Sequence, residues 1–146
     1  MNRGTLQAIW IKSVKGGPMD GVPSATLLAR KGIMCNADQG GRRQVTIFEQ
    51  EVWDHLMQQL AFSKPPSARR ANLMVSGIQL ANSEGSILRI ASCRIRILGE
   101  ARPCRRMDEI VEGLKDAMQK DWFGGAYGEV LGGGVIAVGD PVYWEE

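Results

Sequence analysis

Ser86-Ile87-Leu88-Arg89-Ile90-Ala91-Ser92-Cys93-Arg94-Ile95-Arg96-Ile97-Leu98, continued by Gly99-Glu100-Ala101-Arg102-Pro103-Cys104-Arg105-Arg106-Met107, is the stretch on which the reading of this chain turns. Leu88 and Ile90 alternate with Arg89, and Cys93, Ile95 and Ile97 alternate with Arg94 and Arg96. Successive strand residues point to opposite faces, so the pattern predicts a hairpin with one apolar and one cationic face. Cys93 shares its face with two isoleucines and reads as core. Cys104 stands differently, between arginines, just after the strand and just before a helical pattern. Guanidinium charge and a helix N-terminus both favour the thiolate, whereas a free thiol, with a pKa of about 8.5, is mostly protonated at neutral pH. The competing reading is a buried structural cysteine at a strand end. A reactive or ligand-bearing thiol is preferred.

Working outward, strand-like runs separated by glycine and proline dominate. Strands are predicted at Thr5–Val14, closed by Lys15-Gly16-Gly17-Pro18, and at Val22–Arg30, with Ala25, Leu27 and Ala29 on one face. Further strands are predicted at Gln44–Phe48, Asn72–Val75, Tyr127–Leu131, Val135–Val138 and Pro141–Trp144, with Gly132-Gly133-Gly134 as a hairpin turn. Two segments carry helical spacing. Glu49–Leu60 aligns Val52, Trp53, Leu56, Met57 and Leu60, and Pro65-Pro66 stops it. Asp108–Lys120 aligns Ile110, Val111, Leu114, Ala117 and Met118, with acids early and Lys115 and Lys120 late. Many short strands with two or more short helices make the fold class mainly β, a barrel or strongly curved sheet.

A chain of 146 residues reads as a single domain, residues 1–146, able to bury a core without metal or disulfide staples. The net charge of +2 argues against bulk nucleic-acid binding. Its distribution is more informative: arginine pairs recur at Arg42-Arg43, Arg69-Arg70 and Arg105-Arg106, with Arg102 beside the last. Folded together they would make an anion pocket, because guanidinium forks suit phosphate and carboxylate; scattered surface arginines are the alternative. Cys35, Cys93 and Cys104 have no metal-like spacing and form no disulfide framework, which points to a reducing, cytoplasmic setting. The N-terminus lacks the apolar core of a signal peptide, and no apolar run approaches the roughly 18 residues of a membrane span. His55, the lone histidine, reads as a solvated or partly packed helix residue without an acid–base partner, and Asp140 reads as a turn residue.

In order and spacing, these segments resemble the MOSC domain, named after the C-terminal domain of molybdenum-cofactor sulfurases. Gly99-Glu100-Ala101-Arg102-Pro103-Cys104 is similar to the family's cysteine motif. Gly32-Ile33, Arg42-Arg43-Gln44-Val45-Thr46, Arg69 to Gly77, Gly128 to Gly134 and Val138-Gly139-Asp140-Pro141-Val142 support it. The resemblance implies a β-barrel whose cysteine, here Cys104, carries sulfur or contacts the metal of a molybdenum cofactor (molybdopterin). Arg42, Arg43, Arg69, Arg70, Asn72, Arg102 and Arg105 are the residues the resemblance assigns to that cofactor, with Arg42, Arg43, Arg69 and Arg70 receiving its phosphate and Arg102, Arg105 and Arg106 holding the thiolate charge. One departure stands out: after Gly32-Ile33 the family commonly carries a Gly-Asp pair, where this chain has Cys35-Asn36, with Asp38 close by. The pyridoxal-phosphate desulfurase domain of some members is not present in this sequence, so no pyridoxal phosphate is expected on it.

The function expected on these grounds is sulfur transfer linked to molybdenum-cofactor metabolism. Cys104 would take sulfane sulfur from a cysteine desulfurase or other donor and pass it to the cofactor or a molybdoenzyme; a thiolate accepts such sulfur as a persulfide, and soft sulfur suits a thiophilic metal. A second reading is a molybdenum-cofactor-binding component of a reductase acting on N-hydroxylated compounds, with Cys104 as metal ligand. A third is a non-enzymatic β-barrel that binds an anionic partner; RNA is disfavoured because aromatics total only 6% and Trp53 sits on an apolar stripe.

Overall fold

The computed structural model describes residues 3–146; Met1 and Asn2, which open the N-terminus expected to carry no signal peptide, lie outside the described residues. In chain order, β1 (Arg3–Ile11), β2 (Asp20–Val22), β3 (Ser24–Leu28), β4 (Gly32–Ile33) and β5 (Val45–Glu49) come first. Helix α1 (Gln50–Leu60) and a 3-10 turn (Pro66–Arg69) lead to β6 (Leu73–Ser76), β7 (Ile87–Ile90) and β8 (Cys93–Glu100). Helices α2 (Arg106–Ile110) and α3 (Leu114–Met118) precede β9 (Ala126–Gly132), β10 (Gly134–Ala137) and β11 (Pro141–Trp144).

Seven strands close into a barrel in the order β1-β11-β7-β8-β9-β5-β6, with β6 returning to β1. Neighbours run antiparallel except β5 and β6, which are parallel and joined by α1, the kind of crossover a parallel pair needs. β1 pairs with β11 at its start, β6 along its middle and β2 at its end. The hairpin read from period-two spacing is present, with Leu88 opposite Ile95 and Ile90 opposite Cys93. Its apolar residues face inward: Leu88, Ile90, Cys93, Ile95 and Ile97 are buried together with Leu6, Ile47, Leu73 and Val142. A second cluster lies between the barrel wall and the helices, where Trp53, Leu56 and Met57 of α1 meet Phe48, Met74 and Met107. The helices thus cover one side of the wall, and β10-β3-β4 forms a small separate sheet.

Three elements differ from the sequence expectation. The strand predicted at Val22–Arg30 is two, β2 and β3, because Pro23 has no N–H to give a ladder and the halves pair with different partners. The helix predicted at Asp108–Lys120 is broken: Val111 is extended and Gly113 is left-handed (φ 85°). The Asp108 carboxylate accepts the Lys115 N–H at 3.0 Å, a local bond that competes with a continuous helix. Gly132–Gly134 is no hairpin turn, since β9 stays in the barrel while β10 pairs with β3 in the small sheet. The chain crosses between sheets there, so close to β3 that a Cβ on Gly133 would collide with the Leu27 carbonyl oxygen.

Gly133→Ala is therefore expected to cost about 2 kcal/mol or more, a fall in Tm of roughly 6 °C, measurable by thermal unfolding. A second expectation concerns Glu49, whose carboxylate accepts the Leu80 N–H at 3.3 Å. Burial raises its pKa, with repulsion from Glu51 adding and the Leu80 bond opposing. A raised folded-state pKa means that the protonated form contributes stability below the unfolded value and loses it as pH rises through the folded one. Glu49→Gln should accordingly raise Tm at neutral pH, with the gain vanishing as the solution is taken below the ordinary carboxylate range.

Candidate functional site

The cysteine loop is built by alternation. A register shift between Ile97 and Gly99 re-aims the end of β8, after which Ala101 and Pro103 are buried while Arg102 and Cys104 are exposed. The Ala101 N–H donates to the Gly125 carbonyl at 2.9 Å. Gly124 packs so close that a Cβ there would collide with the Ala101 carbonyl oxygen. Met107 is buried beyond the thiol, and its N–H donates to the Cys104 carbonyl at 3.0 Å. Cys104 is therefore a free, exposed thiol between two buried anchors. The helix that follows has only five residues, so its dipole contributes less than the sequence expectation supposed.

Beside the thiol lies a pocket of about 190 Å³. Its cationic lining is Lys12, Arg43, Arg69, Arg70, Arg102 and Arg106, against one carboxylate, Asp38. Asp38 is paired with Lys12 at 3.0 Å. The five arginines have no carboxylate partner within ion-pair distance among the described residues.

Each arginine is held differently. Arg69, at 8% exposure, donates from Nε and Nη2 to the Gly124 carbonyl at 3.0 and 2.6 Å, and from Nη2 to the Ala101 carbonyl at 3.5 Å. It thereby ties the 3-10 turn to the cysteine loop, and its Nη1 has no protein acceptor among the described residues. Burial lowers its pKa to about 10; the Arg43 charge pushes the same way and Cys104 opposes. Arg70 donates to the Gly17 carbonyl at 2.6 Å, and its pKa is lowered by burial and by Arg106. The Arg43 guanidinium lies 5.0 Å from the centre of the Tyr127 ring, a cation–π contact. Tyr127 in turn lies flat over Gly99, where a Cβ would stand 3.1 Å from its hydroxyl oxygen.

Of the residues assigned from sequence, Cys104, Arg43, Arg69, Arg70, Asn72 and Arg102 line this pocket. Arg42 and Arg105 do not; both are exposed outside its wall. Asn72 lines the pocket as a stitch between strands, accepting the Thr46 N–H at 3.1 Å and donating to the Trp10 carbonyl at 3.2 Å. Lys12 and Thr46 join the wall without any sequence signal for a site, because only the β1–β6–β5 pairing brings them there, and Met107 joins it from α2, three residues beyond Cys104. Asn36 is buried behind it, its Oδ1 accepting the Lys12 N–H at 3.0 Å. Cys35 is exposed and outside the lining. His55 is exposed on α1, its ring 5.9 Å edge-on from Phe123. No cluster of three or more His, Cys, Asp or Glu able to hold a metal occurs among the described residues, so a metal here would rest on the thiol and on its own ligands. Among the described residues, no helix is long and apolar enough to cross a membrane.

The sequence matches the MOSC domain over residues 14–143. The crystal structure of the YuaD protein from Bacillus subtilis is similar at a TM-score of 0.82 and 19% identity, covering 96% of this chain and 94% of that one. YiiM from Geobacillus stearothermophilus is similar at 0.76 and 15%, covering 98% and 75% of the two chains. YiiM from Escherichia coli is similar at 0.72 and 17%, covering 97% and 70%. At such identities the likeness establishes the fold. No curated protein matches the sequence.

A pocket with unpaired arginines should bind a compact oxyanion and be stabilised by it through mass action. Inorganic phosphate at constant ionic strength is expected to raise Tm. Arg43→Gln with Arg102→Gln should remove most of the rise, whereas Arg42→Gln with Arg105→Gln should keep it. Equal behaviour of the two double variants in a thermal-shift titration would discard the pocket assignment.

Proposed function

Because this chain belongs to the MOSC family, which is linked to the sulfur chemistry and binding of the molybdenum cofactor, we propose that it is a sulfur carrier whose persulfide forms on Cys104. One observation supports the reading above others: the exposed thiol sits at the edge of a pocket whose five arginines lack carboxylate partners among the described residues. The Cys104 thiolate attacks the terminal sulfur of a donor persulfide. A new S–S bond forms at Sγ as the donor's bond breaks, and the donor thiolate leaves with the electron pair. Three free cysteines and no disulfide suit a reducing, cytoplasmic setting.

The acceptor in this reading is the molybdenum cofactor, handled as cargo. The donor set fits it: a soft thiol for a thiophilic metal, and arginine forks for a phosphate. Arg43, Arg70 and Arg102 would take the phosphate and Cys104 would face the metal, while Arg69 holds the loop that presents the thiol. The same donors would serve a resident cofactor in a reductase, and metal content separates the two.

Incubation with a cysteine desulfurase and free cysteine should add one sulfur atom to the Cys104 peptide, seen by mass spectrometry. Cys104→Ala should abolish the gain and Cys35→Ala should keep it. Unmodified Cys104 in protein that retains stoichiometric molybdenum would overturn the carrier reading in favour of the reductase.

A further inference from the structure

Arg69 is a largely buried cation whose carbonyl contacts leave its net charge uncancelled. A buried charge is ordinarily paired, because the low-polarity interior penalises an isolated ion by several kcal/mol. Arg69 is 8% exposed, lines the pocket, keeps Nη1 without a protein acceptor and has no carboxylate within ion-pair distance among the described residues. Its nearest charged influences are another cation, Arg43, and the Cys104 thiol. The recess is small, at about 190 Å³, so an anion that pairs with this charge would be compact. It must also lie beside Cys104.

A desulfurase persulfide uses little of this arrangement. Its leaving group is one thiolate attached to another protein and needs no recess of guanidinium groups. A small oxyanion carrying a sulfane sulfur would use all of it, because the charge that departs belongs to the part the arginines bind. Resting on the sulfur-carrier reading above, we infer that the sulfur donor for Cys104 is a low-molecular-weight thiosulfate-type dianion seated in the pocket of Arg43, Arg69 and Arg102.

With thiosulfate the balance is complete. The thiol proton passes to solvent, which the exposed Cys104 contacts. The thiolate attacks the outer, sulfane sulfur; the Sγ–S bond forms as the donor's S–S bond breaks, and sulfite leaves with the bonding pair. The products are the Cys104 persulfide anion and sulfite, with the same total charge as the reactants and no external oxidant or reductant. Arg43, Arg69 and Arg102 bind the sulfonate and meet the charge that concentrates on it as sulfite forms, which places their effect on the rate of the step as well as on affinity.

The test compares two donors on the intact chain. Thiosulfate alone should add one sulfur atom to the Cys104 peptide and release an equivalent of sulfite. Inorganic sulfate should compete. Arg43→Gln or Arg102→Gln should slow loading about tenfold or more at low salt, whereas Arg105→Gln and Cys35→Ala should load like the parent. Loading of Cys104 by a desulfurase with cysteine but not by thiosulfate overturns this inference and leaves the carrier function standing. Loading by neither donor overturns both. Thiosulfate loading that is indifferent to Arg43 and Arg102, or that falls equally on Cys35, overturns the role of the pocket.

Discussion

Closure of the barrel by the four-residue strand β11 is the constraint on which the remaining architecture depends. Val142 is fully buried and lies opposite Gly4 of β1 on one side and Ile90 of β7 on the other. Without that bridge, β1 and β7 would each present a row of unpaired N–H and C=O groups, the usual liability of an open sheet. Just beyond β11, Glu145 accepts from Arg89 at 3.1 Å and from Arg94 at 2.8 Å. These solvent-screened ion pairs contribute little to stability. Burial of Val142 and the two ladders do the holding, and the same burial sets the register, because a one-residue slip would turn Val142 to the outer face. In the ring order, β5 stands with β9 farthest from β11, and the pocket gathers around Thr46 of β5, Asn72 just before β6, Lys12 just after β1 and the loop beyond β8. Closure thus fixes the distance between chain segments that contribute to the site from as far apart in sequence as Lys12 and Met107.

Once the wall is closed, the site is organised by a charge that the fold tolerates and does not neutralise. Arg69 meets the carbonyls of Gly124 and Ala101. Hydrogen bonds to a charged group are each worth about 1.5–3 kcal/mol, enough to offset much of the desolvation penalty of one guanidinium. They hold the thiol-bearing loop as they do so, which makes Arg69 a positioning residue for Cys104. Carbonyl dipoles do not cancel its net charge, and Arg43 adds a second cation beside it. A site that remains electropositive after every internal contact is made is prepared for an anion, independently of which one arrives.

Local physics made the hairpin, α1 and the cysteine loop legible in the sequence. Alternation over Leu88–Ile97 and spacing over Val52–Leu60 depend on near neighbours, and the structure places Cys93, Trp53 and Leu56 in the core as those patterns require. The failures were non-local or involved a single residue overruling a pattern. Gly113 and the Asp108–Lys115 bond break a helix whose apolar spacing is otherwise continuous. The glycines at 132–134 read as a turn because nothing in the sequence announces a second sheet. Within the arginine pairs, Arg43 and Arg42 look alike by composition, and only the strand that follows, with Gln44 and Val45 buried, decides which one faces the pocket. Lys12 and Thr46 join the site through register alone.

The departure at Cys35-Asn36 gains a physical meaning from the same electrostatics. Cys35 is left-handed (φ 72°), the backbone conformation a glycine takes without strain, which is what the family's Gly-Asp pair supplies at that point. Asn36 keeps the role of an acceptor: its Oδ1 takes the Lys12 N–H at 3.0 Å and lies 3.4 Å from the Asn72 amide nitrogen. Its Nδ2 is buried without a partner, and such an orphan donor costs about 1–3 kcal/mol. A carboxylate at Asn36 would accept the same two donors and leave no orphan, so hydrogen bonding and packing give the amide no advantage. The difference lies in charge. An aspartate buried behind Asn72 and Lys12 would set a negative charge against the arginine pocket and compete with any incoming anion. The neutral amide adds no such charge beside the arginines and Cys104.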